Sequence, residues 1–307
     1  MTDTITAPAS IGVTRLAGNI GAEITGVDIG GPLTDDTVAR IRQALLRHRV
    51  IFLRDQHLDY DRQIAFAAKL GPLTRGHPTL TSPSAQPLLE EVDSRKGIRA
   101  NYWHTDVSYV DRPVAFTVLR AVVIPPVGGD TLWANTVTAY QSLPEDLREL
   151  AGRLRVIHTN THDYASAKLR GEGGDAALEA TEEQFVSTVF ETEHPAVRVH
   201  PETSERALLL GGFARTVLGW RPDASRDLIR TLQEYITRPE QTVRWRWREG
   251  DLAIWDNRAT QHYAIYDYDR APRRGERVTV AGPVPVGVDG QPSVSLHGDA
   301  SAYYAGG

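Results

Sequence analysis

The amino-acid sequence predicts a mainly β protein with helical insertions, in which a jelly-roll, cupin-like core is flanked by helices. Three observations carry this reading. Apolar runs of strand length recur along the chain, helical periodicity is concentrated in the first seventy residues and in later insertions, and strands do not alternate with helices as they do in a doubly wound sheet. No internal repeat is present. Gly171-Glu172-Gly173-Gly174 lacks the lysine and the strand-to-helix setting of a phosphate-binding loop.

Residues 18–28 alternate short apolar residues with glycines and read as one or two small strands. Thr34 is placed to cap a helix that opens on Asp35-Asp36 and shows Val38, Ile41, Ala44 and Leu45 at helical spacing. Val50-Ile51-Phe52-Leu53 is a buried strand, and a second helix runs from Tyr60, capped by Asp59, to Leu70, where Gly71 stops it. The Pro-, Ser- and Thr-rich stretch 74–87 is a loop that carries His77. Further strands are expected at 88–92, across the His104 segment after a turn at Arg95-Lys96-Gly97, at 115–124 and at 131–134. Pro144 suits the first turn of a helix that continues to Leu154, and the polar, irregular residues 160–183 read as a lid or insertion. Strands resume at 196–199 and 207–210, and a helix capped by Asp223 covers 224–236. Val243-Arg244-Trp245-Arg246-Trp247-Arg248 alternates strictly, which gives a strand one aromatic and one cationic face, and 252–256 returns after a turn. Residues 286–307 form a Gly- and Ser-rich tail.

A chain of 307 residues is long enough to bury roughly three quarters of its surface, and one domain over 1–307 is the preferred organisation. The 34 basic and 39 acidic residues form no basic block, so nucleic acid and an anionic membrane are not expected as partners. With no cysteine, disulfides, thiolate metal sites and cysteine nucleophiles are all excluded. The start has neither a basic segment nor an apolar core, and a soluble cytoplasmic protein is expected. Only Lys69, Lys96 and Lys168 are lysine, so an isolated arginine is weak evidence for a role.

The chemistry centres on Trp103-His104-Thr105-Asp106-Val107. Residues i and i+2 of an extended segment point the same way, so His104 and Asp106 offer two ligands on one face and leave positions open, as redox iron chemistry requires. His-x-Asp also occurs at His57-Leu58-Asp59, where Asp59 is explained as a helix cap, and at His297-Gly298-Asp299, in the tail. The middle copy alone is followed by a β-rich region and a second histidine in a comparable setting, His262. Beyond it lie Arg273 and Arg277, whose even separation puts them on one face of an extended segment. A divalent iron bound by two neutral histidines and a carboxylate carries one net positive charge. A bidentate 2-oxo acid dianion takes the site to minus one, which one arginine neutralises through the distal carboxylate, helped by a hydroxyl such as Thr131.

These residues resemble the Fe(II)- and 2-oxoglutarate-dependent dioxygenases of the taurine dioxygenase and chlorophenoxyacetate dioxygenase family. The likeness runs from about Leu16 to Pro285, through Trp-His-Thr-Asp-Val at 103–107, Gly-Gly-Asp-Thr-Leu-Trp at 128–133 and Trp-Asp-Asn-Arg-Ala-Thr-Gln-His-Tyr-Ala at 255–264. The resemblance implies a double-stranded β-helix and iron ligands His104, Asp106 and His262. Thr131 and Arg273 would hold 2-oxoglutarate, and dioxygen would be the second cosubstrate. Contacts to a small anionic organic substrate fall on His77, Arg277, Val107 and Phe213, and a homo-oligomer, dimer or tetramer, is implied as well. His158-Thr159-Asn160, His200-Pro201-Glu202-Thr203 and Tyr266-Asp267-Tyr268 resemble the alkylsulfatase branch. Leu80 and Ala100 stand where the taurine enzymes have tyrosine and asparagine, which favours a more apolar substrate, an alkyl sulfate or sulfonate. Arg277 is expected to lack an internal partner and to await that anion, with His77 becoming charged beside it. Desaturation or cyclisation of a carboxylate-bearing metabolite would use the same core. A zinc hydrolase and a jelly-roll binding module are the alternatives from other classes.

Overall fold

The computed structural model describes residues 11–80, 86–96, 100–161 and 183–304. Its largest sheet has seven strands, in the order β1 (Gly12–Arg15), β2 (Ala22–Thr25), β3 (Val50–Leu53), β13 (Leu252–Asp256), β5 (Phe116–Val123), β15 (Arg274–Val280) and β4 (Leu89–Asp93), numbered along the chain. Its pairs are antiparallel except for β2 with β3. A three-stranded sheet orders β12 (Thr242–Trp245), β6 (Thr131–Asn135) and β14 (Thr260–Ala264).

These two sheets bury their facing sides together. On β3 and β13, Val50, Phe52, Ala253 and Trp255 join Trp133, Val243, Trp245 and Trp247 in one cluster between the sheets. The alternate residues, Ile51, Leu53, Leu252 and Ile254, pack on the other side against Ile41 and Leu45 of helix α1 (Asp35–His48) and Phe66 and Leu70 of α2 (Tyr60–Leu70). A strand covered on both faces has no polar side, which is why 50–53 and 252–255 are unbroken apolar runs. Each Val, Leu, Ile or Phe side chain buried there contributes about 1.5–3 kcal/mol. The outcome is the expected jelly-roll core with flanking helices. Both caps hold: the Thr34 hydroxyl accepts from Thr37 N–H, and the Asp59 carboxylate from Arg62 N–H. Capping thus accounts for Asp59.

A four-stranded sheet, β11 (Ala214–Val217), β7 (Arg155–Thr159), β8 (Glu191–Pro195) and β17 (Val294–His297), and a small one, β10 (Arg206–Leu208), β9 (Val197–Val199) and β16 (Val286–Gly287), complete the described strands. Strands β7, β8 and β11 are not expected from the sequence pattern. The buried faces of β7 and β8 carry His158, Thr192 and His194, so hydropathy does not alternate there. Helix α3 (Thr136–Gln141) is likewise not expected, because its β-branched start reads as strand; the Asn135 side chain caps it, accepting from Val137 and Thr138 N–H. Helix α4 (Glu145–Arg153) follows Pro144 as expected. Helix α5 (Pro222–Ile236) begins on Pro222, so Asp223 lies within its first turn and is not its cap.

One further expectation needs correction. Residues 101–108 are not a strand: a single bridge joins His104 to His262, and the chain turns where Val107 takes φ 44°. The described part of the 286–307 tail pairs back through β16 with β9 and β17 with β8, and the short helix α6 (Ser301–Tyr304) buries Tyr303. Of the proposed 160–183 lid, residues 162–182 lie outside the described residues. Among the described residues no helix is long and apolar enough to cross a membrane.

Candidate active site

The β6–β14 register sets His262 opposite Trp133, and His104 and His262 exchange backbone N–H···O bonds of 3.1 and 2.8 Å. That pairing brings the two imidazoles to 4.1 Å between ring centres. The turn at Val107 then lets Asp106 face both: its Oδ1 is 3.8 Å from His104 Nε2 and 3.7 Å from His262 Nε2. One ligand atom of each residue lies within 4.8 Å of the other two, and all three residues are buried. Burial pushes the His104 and His262 pKa values below the ordinary 6.5, so both rings are neutral, the form that binds a metal. His104 Nδ1–H donates to the Tyr102 carbonyl at 2.9 Å, which fixes the tautomer and leaves Nε2 as the ligand atom. Two neutral imidazoles and one carboxylate converging from one side fit a divalent iron with open positions.

Asp106 is held by residues that the sequence reading left without a role. Thr117 on β5 donates its hydroxyl to Asp106 Oδ2 at 2.8 Å, and Asn257 Nδ2 donates to that hydroxyl at 2.8 Å. Asn257 Oδ1 accepts from Asp106 N–H and from Trp255 Nε1. Burial by itself would raise the Asp106 pKa, but Arg277, the two imidazoles and Thr117 outweigh it and hold the carboxyl well below its usual range. Asn257 was legible as part of the motif at 255–264; nothing in the sequence singled out Thr117.

The expectation that Arg277 lacks an internal partner is wrong. Arg277 sits opposite Glu90 in the β15–β4 pair, and residues opposed across two strands share a face. Its Nε and Nη2 lie 2.9 and 2.8 Å from Glu90 Oε2, and Nη1 donates to Asp106 Oδ1 at 2.7 Å. Two carboxylates therefore neutralise it. The signal for Glu90 was a pair of glutamates, Glu90 and Glu91, in a strand expected to be buried.

Arg273 is different. It is 8% exposed, and its hydrogen bonds run to neutral oxygens, Nε to the Gly129 carbonyl at 2.9 Å and Nη2 to Thr131 Oγ1 at 3.2 Å. Gly129 takes φ 72°, and a Cβ there would stand 3.1 Å from Arg273 Cδ, so glycine makes the approach possible. Thr131 lies two residues from Trp133 on β6, and thus on the face that carries His262. A buried guanidinium with no carboxylate bonded to it among the described residues fits the far end of a dicarboxylate.

Beside the triad lies a small cavity of about 50 Å³ whose lining includes His77, Glu90, Val107, Phe213 and Arg277, together with Leu80 and Ala100. The structure thus brings together all the residues expected to meet substrate, and adds Tyr109 and Phe185. His77 Nδ1 accepts from Thr79 and Leu80 N–H at 3.1 and 3.0 Å, which leaves its proton on Nε2, 3.3 Å from the Tyr109 hydroxyl. Burial, with Arg277 adding to it and Asp106 opposing, lowers its pKa to about 3. His77 is therefore neutral in this structure.

The sequence matches the family model described as taurine catabolism dioxygenase TauD, TfdA family, over residues 12–279. An alpha-ketoglutarate-dependent sulfate ester dioxygenase of Pseudomonas putida is 53% identical over 277 residues, 90% of this chain and 91% of that one. An alkylsulfatase of Acinetobacter baylyi is 47% identical over 277 residues, 90% of this chain and 86% of the other. Among solved structures, a taurine dioxygenase from Burkholderia xenovorans superposes with TM-score 0.80 at 38% identity, covering 96% of this chain and 99% of its own. AAD-2 in complex with Mn(II) and N-oxalylglycine superposes with TM-score 0.73 at 28% identity, covering 90% and 99%. Fold, site and relatives define an iron(II)- and 2-oxoglutarate-dependent dioxygenase, an oxidoreductase that consumes dioxygen, and the zinc-hydrolase and binding-module alternatives fall away. The chain belongs to the TauD, TfdA family.

Proposed function

We propose that this enzyme, read as one dioxygenase domain, oxidises the carbon that bears the sulfate of a small alkyl sulfate and so releases sulfate and an aldehyde. The observation that carries the proposal is the cavity beside the triad. It joins one guanidinium, Arg277, to a neutral histidine and to apolar walls at Leu80, Ala100, Val107 and Phe213. The names of the relatives that act on sulfate esters support the same reading. In this assignment His104, Asp106 and His262 hold iron, and Thr131 and Arg273 hold the far carboxylate of 2-oxoglutarate. Bound there, iron(II), 2-oxoglutarate and dioxygen supply the oxidant that hydroxylates the substrate carbon.

The chain's own residues bind and orient. Arg277 takes the sulfate oxygens, the His77 Nε2–H donates to the same head group, and Val107 and Phe213 press the first carbons of the tail towards the triad. Hydroxylation of R–CH2–OSO3⁻ gives a hemiacetal sulfate, which breaks its C–O bond to leave R–CHO and hydrogen sulfate, with no base required from the protein. We assign the protein to the cytoplasm as a homo-oligomer.

The test is stoichiometry. With iron(II), 2-oxoglutarate and dioxygen, a medium-chain alkyl sulfate is expected to give succinate, sulfate and aldehyde in equal amounts. If alkyl sulfates leave succinate formation at its uncoupled rate while an alkanesulfonate or alkanoate of the same length raises it, the sulfate ester is the wrong substrate.

A further inference from the structure

Shape alone does not distinguish a sulfate monoester from a phosphate monoester, since both present a tetrahedral head of similar size on one bridging oxygen. They differ in charge. The sulfate ester carries one negative charge at any working pH, whereas the phosphate ester, with a second pKa near ~6, carries two above neutrality.

The charges facing the cavity are those of Glu90, Asp106 and Arg277 among the described lining residues, because His77 is neutral. Asp106 belongs to the metal's balance: iron(II), Asp106, the 2-oxoglutarate dianion and Arg273 sum to zero. What remains is Arg277 and Glu90, which also sum to zero while Glu90 is ionised. Glu90 is 6% exposed, reaches the cavity only because the β4–β15 register opposes it to Arg277, and makes both its bonds to that one guanidinium. Among the described residues, three of the five N–H groups of Arg277 go to Glu90 and Asp106, which leaves two for a ligand. Its neighbour Glu91 faces the other way, to Lys96 and Arg274.

We propose that Glu90 is a specificity-determining residue: by neutralising Arg277 within the cavity lining, it sets the head-group cavity to accept a singly charged tetrahedral head and to reject a doubly charged one of the same shape. The proposal rests on the reading of Arg277 as the residue that meets the anionic head. With a monoanion the closed site carries one net negative charge, and with a dianion it carries two. A carboxylate roughly 6 Å from the head, at an effective dielectric of about 20, makes the second charge worse by on the order of 100-fold in affinity. Burial, opposed by Arg277, raises the Glu90 pKa to about 6, so the carboxylate is in place at alkaline pH.

The experiment measures binding and kcat/KM of hexyl sulfate and hexyl phosphate at about pH 8. It compares the iron- and 2-oxoglutarate-loaded wild type with Glu90→Gln and Glu90→Asp. Glu90→Gln keeps the shape and removes the charge; it is expected to narrow the preference for sulfate over phosphate by 10- to 100-fold, mostly through tighter phosphate binding. Glu90→Asp keeps the charge and should keep the preference. An unchanged ratio in Glu90→Gln, or equal loss of both esters together with iron and 2-oxoglutarate affinity, overturns the proposal and leaves Glu90 a structural partner of Arg277. If the wild type binds neither ester, the sulfate-ester reading itself fails and the role of Glu90 falls with it. A wild type that takes the sulfate normally isolates the test to Glu90.

Discussion

Replacing Arg273 with alanine is expected to weaken 2-oxoglutarate by about two to three and a half orders of magnitude. The guanidinium is buried and oriented by the Gly129 carbonyl and by Thr131 Oγ1, with no acidic partner bonded among the described residues. Thr131 Oγ1 also accepts from Trp247 Nε1 at 2.9 Å, so both its lone pairs are used and its own proton is directed to an incoming oxygen. A dicarboxylate that enters this pocket meets a positioned fork and a positioned hydroxyl. Losing one partner of a buried, hydrogen-bonded charge pair costs about 3 to 5 kcal/mol, and each 1.4 kcal/mol or so is a factor of ten. Arg273→Lys retains the charge but not the two-pronged geometry, and should recover only part of the loss. Arg274, paired with Glu91, is the control. Affinity can be read without turnover, by anaerobic titration of 2-oxoglutarate into the iron-loaded protein while following its weak visible charge-transfer absorption. An unchanged dissociation constant in Arg273→Ala, alongside a large change in Arg274→Ala, would mean that the wrong arginine has been assigned.

His104→Ala, Asp106→Ala and His262→Ala should each lose bound iron and turnover, while His57→Ala and His297→Ala keep both; metal content after gel filtration is the measurement, and full occupancy in the His104 variant refutes the ligand set. Thr117→Val removes the hydroxyl that donates to Asp106 Oδ2 and accepts from Asn257 Nδ2, so iron affinity should fall by about 10- to 100-fold. Competition with a chelator measures that fall, and wild-type affinity would rule out the positioning role. His158 is fully buried, with Nδ1 3.0 Å from Ser108 Oγ, and burial lowers its pKa to about 3; the adjoining His194 is also held well below 6.5. The unfolded chain takes up these protons first, so their contribution is complete above about pH 6.5 and declines as pH falls towards 3, by up to about 1.4 kcal/mol per histidine for each unit. Thermal melting of the metal-free protein should therefore drop between about pH 7 and pH 4.5 and drop less in His158→Asn, whereas parallel profiles would contradict the assignment.

Much of this protein follows from local pattern. Caps at Thr34 and Asp59, two-sided burial of 50–53 and 252–255, and the aromatic face of 243–247 are consequences of short-range chemistry that any chain with these residues would express. The iron triad was legible because its donor set is written in two short motifs: an imidazole and a carboxylate two residues apart, and a distant histidine at the end of a strand-forming segment. Polar strands escaped notice for a related reason: β7 and β8 turn histidine and threonine inward, and only the partners waiting there, Ser108, Ser293 and the Tyr109 carbonyl, make those side chains fit for burial. Arg277 shows the boundary most plainly. Its place in a strand is a matter of local pattern, which the sequence contains. Its partnership with Glu90 depends on which residue of β4 stands opposite, and Asp106 reaches it only because the chain turns at Val107. Register and long-range closure are set by how whole sheets pack, and a one-residue slip would send Glu90 to the opposite face and set Leu89 or Glu91 against Arg277 instead. The sequence alone determined the class of chemistry; the tertiary structure decided how much charge the cavity beside the triad holds, because that is a sum over side chains brought together from distant parts of the chain.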